Sequence, residues 1–391
     1  MKNTLFAGAA GHLINCFLFI FLISPSLSYT QSQIEVNGFL QNMQTVWNPK
    51  NIENLIFSNS IMNRINLSWY KNNLEVNASL RNIFDYGEFV SLIPFYDKLA
   101  VSDDGFFDLT SKIYSGNSYI LYSNIDRANI KYTLENLEIQ IGRQRVNWGI
   151  NSVWTPNDIF NSSAFINFDY VEKPGSDAVR IQYYLDFASS IEIVSKLDYK
   201  EDLTLAGKLQ FNKWDYDFQV ISGFSKDDYI FGGGWAGSLF DAGFTGEFTY
   251  FNEKSSNLTN SYLFVSSVGA NYTFSNSLFI SCEFLYNSIG KVGKLSASSD
   301  LFNLDYSAKN LSLARYSIFA QVSYPFTPLI NSSLSAIINP TDGSLFLSPT
   351  TEFSLNEDVY LLISSQFFAG ERKTEWGDFG QFYYLRIKWN F

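Results

Sequence analysis

Along most of the chain apolar and polar residues alternate with a period of two, the spacing of strands whose two faces meet different solvents. At the C-terminal end Tyr383, Leu385, Ile387, Trp389 and Phe391 share one face, and Tyr384, Arg386, Lys388 and Asn390 share the other. The same alternation sets Ile61, Ile65, Leu67 and Trp69 against Arg64, Asn66 and Ser68, and Val179, Ile181 and Tyr183 against Arg180 and Gln182. Leu74, Val76, Ala78 and Leu80 likewise oppose Glu75, Asn77, Ser79 and Arg81. An aromatic-rich apolar face opposite a charged one fits lipid and lumen better than the two sides of a soluble sandwich. The runs are about ten residues long, the length a tilted membrane strand needs.

The expected fold is therefore all-β: a single transmembrane antiparallel β-barrel of about 18 strands, within a range of roughly 16 to 20. The connections support it by alternating short and long. Short turns fall near 71, 135, 188, 275 and 356; long ones cover 47–60, 85–125, 149–176, 252–261, 288–313 and 369–378. Short periplasmic turns and long external loops are the rule for such barrels, and an even strand count puts both termini on the periplasmic side. Alternation begins by Ile34, which leaves no room for an N-terminal plug domain.

Lys2, the apolar run 14–23 and the small residues Ser26 and Ser28 read as a secretory signal, so residues 1–28 are expected to be removed and 29–391 to form the barrel. That cleavage removes His12, the only histidine, and Cys16, leaving Cys282 as the single thiol. No disulfide can form within such a chain, and metal sites built from His or Cys clusters are excluded. No metal and no cofactor are expected. Cys282 itself, in the run LFISCEFLY, reads as a small buried or lipid-adjacent thiol.

Aromatic residues make up 18% of the chain while mean hydropathy stays near zero, so the apolar residues are many but dispersed. The net charge of −11 argues against nucleic-acid binding and suits an outer surface in contact with lipopolysaccharide.

One segment stands apart, 141–180: IGRQRVNWGINSVWTPNDIFNSSAFINFDYVEKPGSDAVR. Strict alternation from Leu137, Ile139 and Ile141 would send Arg143 and Arg145 to the lipid. A bulge at Gly142 would instead turn Arg143, Arg145 and Asn147 inward and leave Val146 and Trp148 facing out. The third long loop follows, about 149–176. Its Phe160, Phe165 and Phe168 need cover, which predicts that it folds into the barrel mouth and narrows the lumen.

GRQRVNWG, with PNDIFN and EKPGSDAVR after it, resembles elements of porin-like and alginate-export-like outer-membrane barrels of Gram-negative bacteria, including uncharacterised Bacteroidetes members. The likeness covers about 40 residues, roughly a tenth of the chain. It implies that Gly142, Arg143, Gln144, Trp148, Gly149, Pro156 and Asp158 form a shared structural or pore element. Phe391, an aromatic at the end of the last strand, resembles the signature read by barrel-assembly machinery.

Inward positions gather Arg64, Arg81, Arg127, Lys131, Arg143, Arg145, Arg180, Arg386 and Lys388, while Asp103, Asp104 and Asp108 of the second loop and Asp158, Asp169 and Glu172 of the third supply the opposite sign. A basic wall facing acidic loops would set a field across a pore; alternatively the charges solvate a water-filled lumen and pair with one another. An enzyme is not expected, because known barrel hydrolases rely on a histidine base and the mature chain has none. The expected function is a porin-like channel for small polar or charged solutes, monomeric or trimeric. The alternatives are an export channel for a polysaccharide and a non-conducting surface binding or assembly barrel.

Overall fold

A computed structural model describes residues 32–50, 53–162, 165, 175–254, 262–294 and 306–391. The strands are β1 (Gln33–Asn48), β2 (Ile56–Lys71), β3 (Leu74–Gly87), β4 (Thr110–Gly116), β5 (Tyr119–Leu134), β6 (Leu137–Gln144), β7 (Ser176–Tyr184), β8 (Ser190–Leu197), β9 (Leu203–Lys213) and β10 (Tyr216–Phe224). They continue as β11 (Asp228–Leu239), β12 (Ala242–Glu253), β13 (Tyr262–Thr273), β14 (Phe279–Asn287), β15 (Tyr316–Thr327), β16 (Ile330–Ile338), β17 (Leu345–Asn356), β18 (Val359–Ala369) and β19 (Gln381–Asn390). Two short helices, α1 (Glu88–Leu92) and α2 (Tyr96–Ala100), precede β4.

Neighbours along the chain pair antiparallel, and β1 pairs with both β2 and β19, which closes the sheet. The seam continues past the last strand, where the Gly38 N–H donates to the Phe391 carbonyl (2.9 Å) and the Phe391 N–H to the Gly38 carbonyl (3.0 Å). Strand β4 is not a stave: β5 pairs along its length with β3, and β4 only lines part of its other edge, so the barrel has 18 strands. The loop expected at 85–125 therefore contains both helices and β4, and the one expected at 47–60 shrinks because β1 and β2 extend into it.

Closure leaves no free edge, the condition for crossing a bilayer with strands. The outward face is apolar. On β8, Ile191 and Ile193 are exposed while Glu192 and Val194 are buried, and on β19 Leu385, Ile387 and Trp389 are exposed while Arg386 is buried. This inversion marks lipid outside and a polar interior. Cys282 is exposed on the outer face, beside Phe244, Val268 and Ile318. At one rim the turns are tight: Trp214–Asp215 and Phe240–Asp241 each hold two consecutive residues at positive φ, the geometry that twist-matched two-residue hairpins require.

Candidate functional site: a strap on the inner wall

The interior is asymmetric because the chain leaving β6 lies against one side of it. Gly142 has φ +114°, and a Cβ there would sit 2.2 Å from the Ala128 carbonyl oxygen, so only glycine fits. The pairing of β6 with β5 and β7 nevertheless runs through Gly142 without a register shift. The expected bulge is thus not at Gly142. It lies in β5, where Asp126 is passed over between Ile125, opposite Leu80, and Arg127, opposite Ser79.

Beyond Gln144 the orientation is also the reverse of the expected one for the apolar pair. Val146 and Trp148 are buried and pack on Ala178, Val194, Ala206 and Ile221 of the inner wall, while Arg145 and Asn147 are exposed. The physical reason is a surface that alternation does not reveal: the inner wall of β7–β10 is itself apolar at this level, and Trp148 can bury there while its Nε1–H donates to Glu192 Oε1 (2.9 Å).

The segment then follows the wall as a strap. The N–H groups of Ile150 and Asn151 donate to Glu247 Oε1 (2.9 and 2.7 Å), and those of Ser152 and Val153 to Glu283 Oε1 (2.8 and 3.1 Å). The Trp154 N–H reaches Glu283 Oε2 (3.2 Å), and its ring meets Phe319 of β15 edge-on. The returning limb is held by the same glutamate, the Asn157 N–H donating to Glu247 Oε2 (2.9 Å), and by Asn157 Nδ2–H on the Gly233 carbonyl (3.0 Å). It ends with Phe160 edge-on to Trp148, its carbonyl accepting from Lys196 Nζ (2.9 Å). Gly149 lets the two limbs touch: a Cβ there would lie 2.6 Å from the Thr155 side chain. Pro156 and Asp158 are buried within this return.

Strand β11 makes room through Gly232 and Gly234, whose Cβ atoms would fall 2.8 Å from Asn157 Oδ1 and 2.6 Å from Ile150 Cδ1. Gly234→Val is therefore expected to destabilise the folded barrel by about 1–3 kcal/mol through overpacking. Urea unfolding of the refolded protein checks this, and an unchanged midpoint would show that the strap does not press on β11.

On the opposite side the charges pair within the wall. Asp126 takes both Arg64 (2.8 Å) and Arg81 (3.0 Å), and Lys131 meets Glu75 (2.5 Å); on the strap's own wall Glu192 takes Arg180 (2.7 Å) and Lys208 (3.2 Å). Arg127 donates to the Asp126 carbonyl (2.8 Å). Arg386 meets Glu352 (3.3 Å), and Lys388 lies over the Phe39 ring. Arg143 is buried and ties the loop before β4 to the wall: it meets Asp177 of β7 (2.8 Å) and, on that loop, Asp103 (2.7 Å) and the Phe107 carbonyl, to which it donates (2.6 Å). Gln144 Nε2–H donates to the Ala178 carbonyl (3.0 Å). Asp169 and Glu172 lie outside the described residues.

Between strap and charged wall lies a cavity of about 560 Å³, bordered by Met62, Arg81, Asp126, Arg143, Asn161 and Lys196 and roofed by residues 100–105. Helix α2 is tied down beside it by the Tyr96 hydroxyl, which donates to Asp85 (3.0 Å). Of the residues singled out by sequence, Arg81 and Arg143 border this space together, whereas Lys131 and Arg180 sit in separate ion pairs. Glu247, Glu283 and the β11 glycines were not singled out. Their signal was present: a carboxylate in mid-strand between apolar or glycine neighbours, as in GEFTY and SCEFLY, and the run Gly232, Gly233, Gly234, which marks close backbone approach.

No family model matches the chain, and no curated protein matches it. Solved structures do, over nearly its whole length. Acinetobacter baumannii OccAB4 aligns over 93% of this chain and 99% of its own, at 10% identity and a TM-score of 0.60. The outer membrane protein OprD from Pseudomonas aeruginosa aligns over 92% and 94%, at 8% identity and a TM-score of 0.57. Pseudomonas aeruginosa OccD3 aligns over 94% of both chains, at 9% identity and a TM-score of 0.56. At these identities the likeness is one of architecture, and the chain has the fold of the outer-membrane porins, a closed antiparallel barrel of 18 strands.

Proposed function

We propose that the protein is a passive channel of the outer membrane, carrying small polar or charged solutes through a lumen that the strap, residues 149–162, narrows from one side. The observation that carries this reading is the strap on the β8–β15 wall, which leaves a polar, charge-lined cavity between itself and β2–β5. Water has to fill such a space, because exposed polar side chains facing a dry lumen would be too costly. Charges paired within the wall solvate the passage and grade it locally, rather than setting one field across it. Residues 1–28 act as the export signal, Phe391 presents the last strand to the barrel-assembly machinery, and lipid with lipopolysaccharide surrounds the outer face. Association with further copies belongs to the same reading. No enzymatic role is assigned: the chain from residue 29 on has no histidine to act as base.

The test is single-channel recording in a planar bilayer under a salt gradient, with Arg145→Glu as the variant because Arg145 is exposed on the strap. Stepwise conductance whose reversal potential moves toward cation preference in the variant is the expected result. A correctly folded but silent barrel would overturn the channel reading in favour of polymer export or surface binding.

A further inference from the structure

We infer that Glu247 and Glu283 are the positioning residues of the channel, two carboxylates on the wall that hold the strap in place and so set the bore. The inference rests on the channel reading for its consequence, but the clamp itself is geometric.

Residues 150–157 run through the interior outside any sheet ladder, so their N–H groups need other acceptors. Six of those groups find them on two side chains. Glu247 accepts from Ile150, Asn151 and Asn157, which belong to the outgoing and returning limbs, and Glu283 accepts from Ser152, Val153 and Trp154 at the far bend. Both glutamates are buried. A carboxylate suits this task better than any neutral group: it offers only acceptor sites, on two oxygens, and its charge strengthens every bond to an N–H. The dependence runs both ways, since a buried carboxylate itself has to be hydrogen-bonded.

The placement gives the clamp leverage. Glu247 on β12 and Glu283 on β14 have β13 between them, and Ser267 of that strand accepts from Asn151 Nδ2–H (2.7 Å). Three successive staves therefore fasten one short stretch of chain. An amide in place of Glu247 would keep one acceptor oxygen and turn its NH₂ group toward an N–H that needs an acceptor. Glu247→Gln is thus expected to free the returning limb first.

The experiment uses the full chain with Cys16→Ser, Cys282→Ser and Ser152→Cys, carrying a spin label at position 152, which is exposed on the strap. Label mobility and single-channel conductance are compared with and without the pair Glu247→Ala and Glu283→Ala. The expected result is an immobilised label that becomes mobile in the pair variant, with conductance rising about twofold or more as the strap leaves the wall. A label that stays immobilised, or conductance that does not rise although the label is released, overturns the inference. If the parent barrel does not conduct at all, the channel reading falls while label mobility still decides the clamp. Should the alanine pair fail to fold, the pair Glu247→Gln and Glu283→Gln answers the same question, since it keeps side-chain volume while exchanging the charge and one acceptor oxygen of each group for an NH₂ donor.

Discussion

Replacing Arg143 by methionine is expected to cost about 3–5 kcal/mol of barrel stability, the range seen when one member of a buried ion pair is removed and its partner stays charged. Arg143, Asp103 and Asp177 are each more than nine-tenths buried at the side chain, and the guanidinium also satisfies the Phe107 carbonyl. Burial alone would push the Asp103 carboxyl up; hydrogen bonds from Arg143 and from the Gly105 and Leu109 N–H groups outweigh it and hold the group below the ordinary aspartate range. Without the arginine two carboxylates would face one another with no cation between them. The loop that carries α1 and α2 would then lose its tie to β6 and β7. Urea unfolding of the refolded protein measures the loss, and faster proteolysis between 100 and 109 would localise it. The exposed pair Lys112–Asp97, also in this region, is the control: its removal is expected to leave the unfolding midpoint nearly unchanged. Equal effects at the two sites would mean that the Arg143 network is no more than a surface contact.

This contrast also shows which parts of the molecule local sequence could reveal. The staves were legible because alternation is a property of neighbours: Ile191 outward beside Glu192 inward, or Leu385 outward beside Arg386 inward, needs no knowledge of the rest of the chain. The strap was legible as a segment, through its turn residues and uncovered aromatics, but not in its orientation. Val146 and Trp148 face outward only if a bulge at Gly142 breaks the count from Ile141; β6 pairs through Gly142 without a shift, and both side chains bury on residues such as Val194 and Ile221 far along the chain. The clamp is more distant still. Glu247 lies about a hundred residues beyond the N–H groups it accepts from, and nothing near Ile150 announces it. The charged wall shows the same limit: the inward direction of Arg64 and Arg81 follows from period two, but their shared partner, Asp126, depends on a one-residue bulge in β5.

The connection between β18 and β19 is expected to hold to the barrel more weakly as pH rises from about 4.5 to about 7, because of Glu375. This side chain lies outside the strands and is completely enclosed. Its Oε1 accepts from the Ser312 hydroxyl (2.6 Å) and its Oε2 from Asn339 Nδ2–H (3.2 Å), while its own N–H donates to Asp342 (2.7 Å). Burial pushes the carboxyl up, the nearby Asp342 charge adds to this, and the hydrogen bonds offset only part, leaving it at about 7 against an ordinary 4.5. In that window the docked segment keeps a proton that the released segment gives up. Docking is therefore favoured below about pH 4.5, loses ground up to about pH 7 and is level above it; the difference amounts to roughly 3 kcal/mol. Trp376, next in the chain, packs on Phe346 and Phe368, so its burial depends on the same docking. Hydrogen exchange over 371–380, corrected for the intrinsic rate, should show less protection at about pH 8 than at about pH 5 in the natural chain and little difference in Glu375→Gln. Equal protection of the natural chain at both values would mean that Glu375 is charged in the docked state and that hydrogen bonds alone stabilise it there.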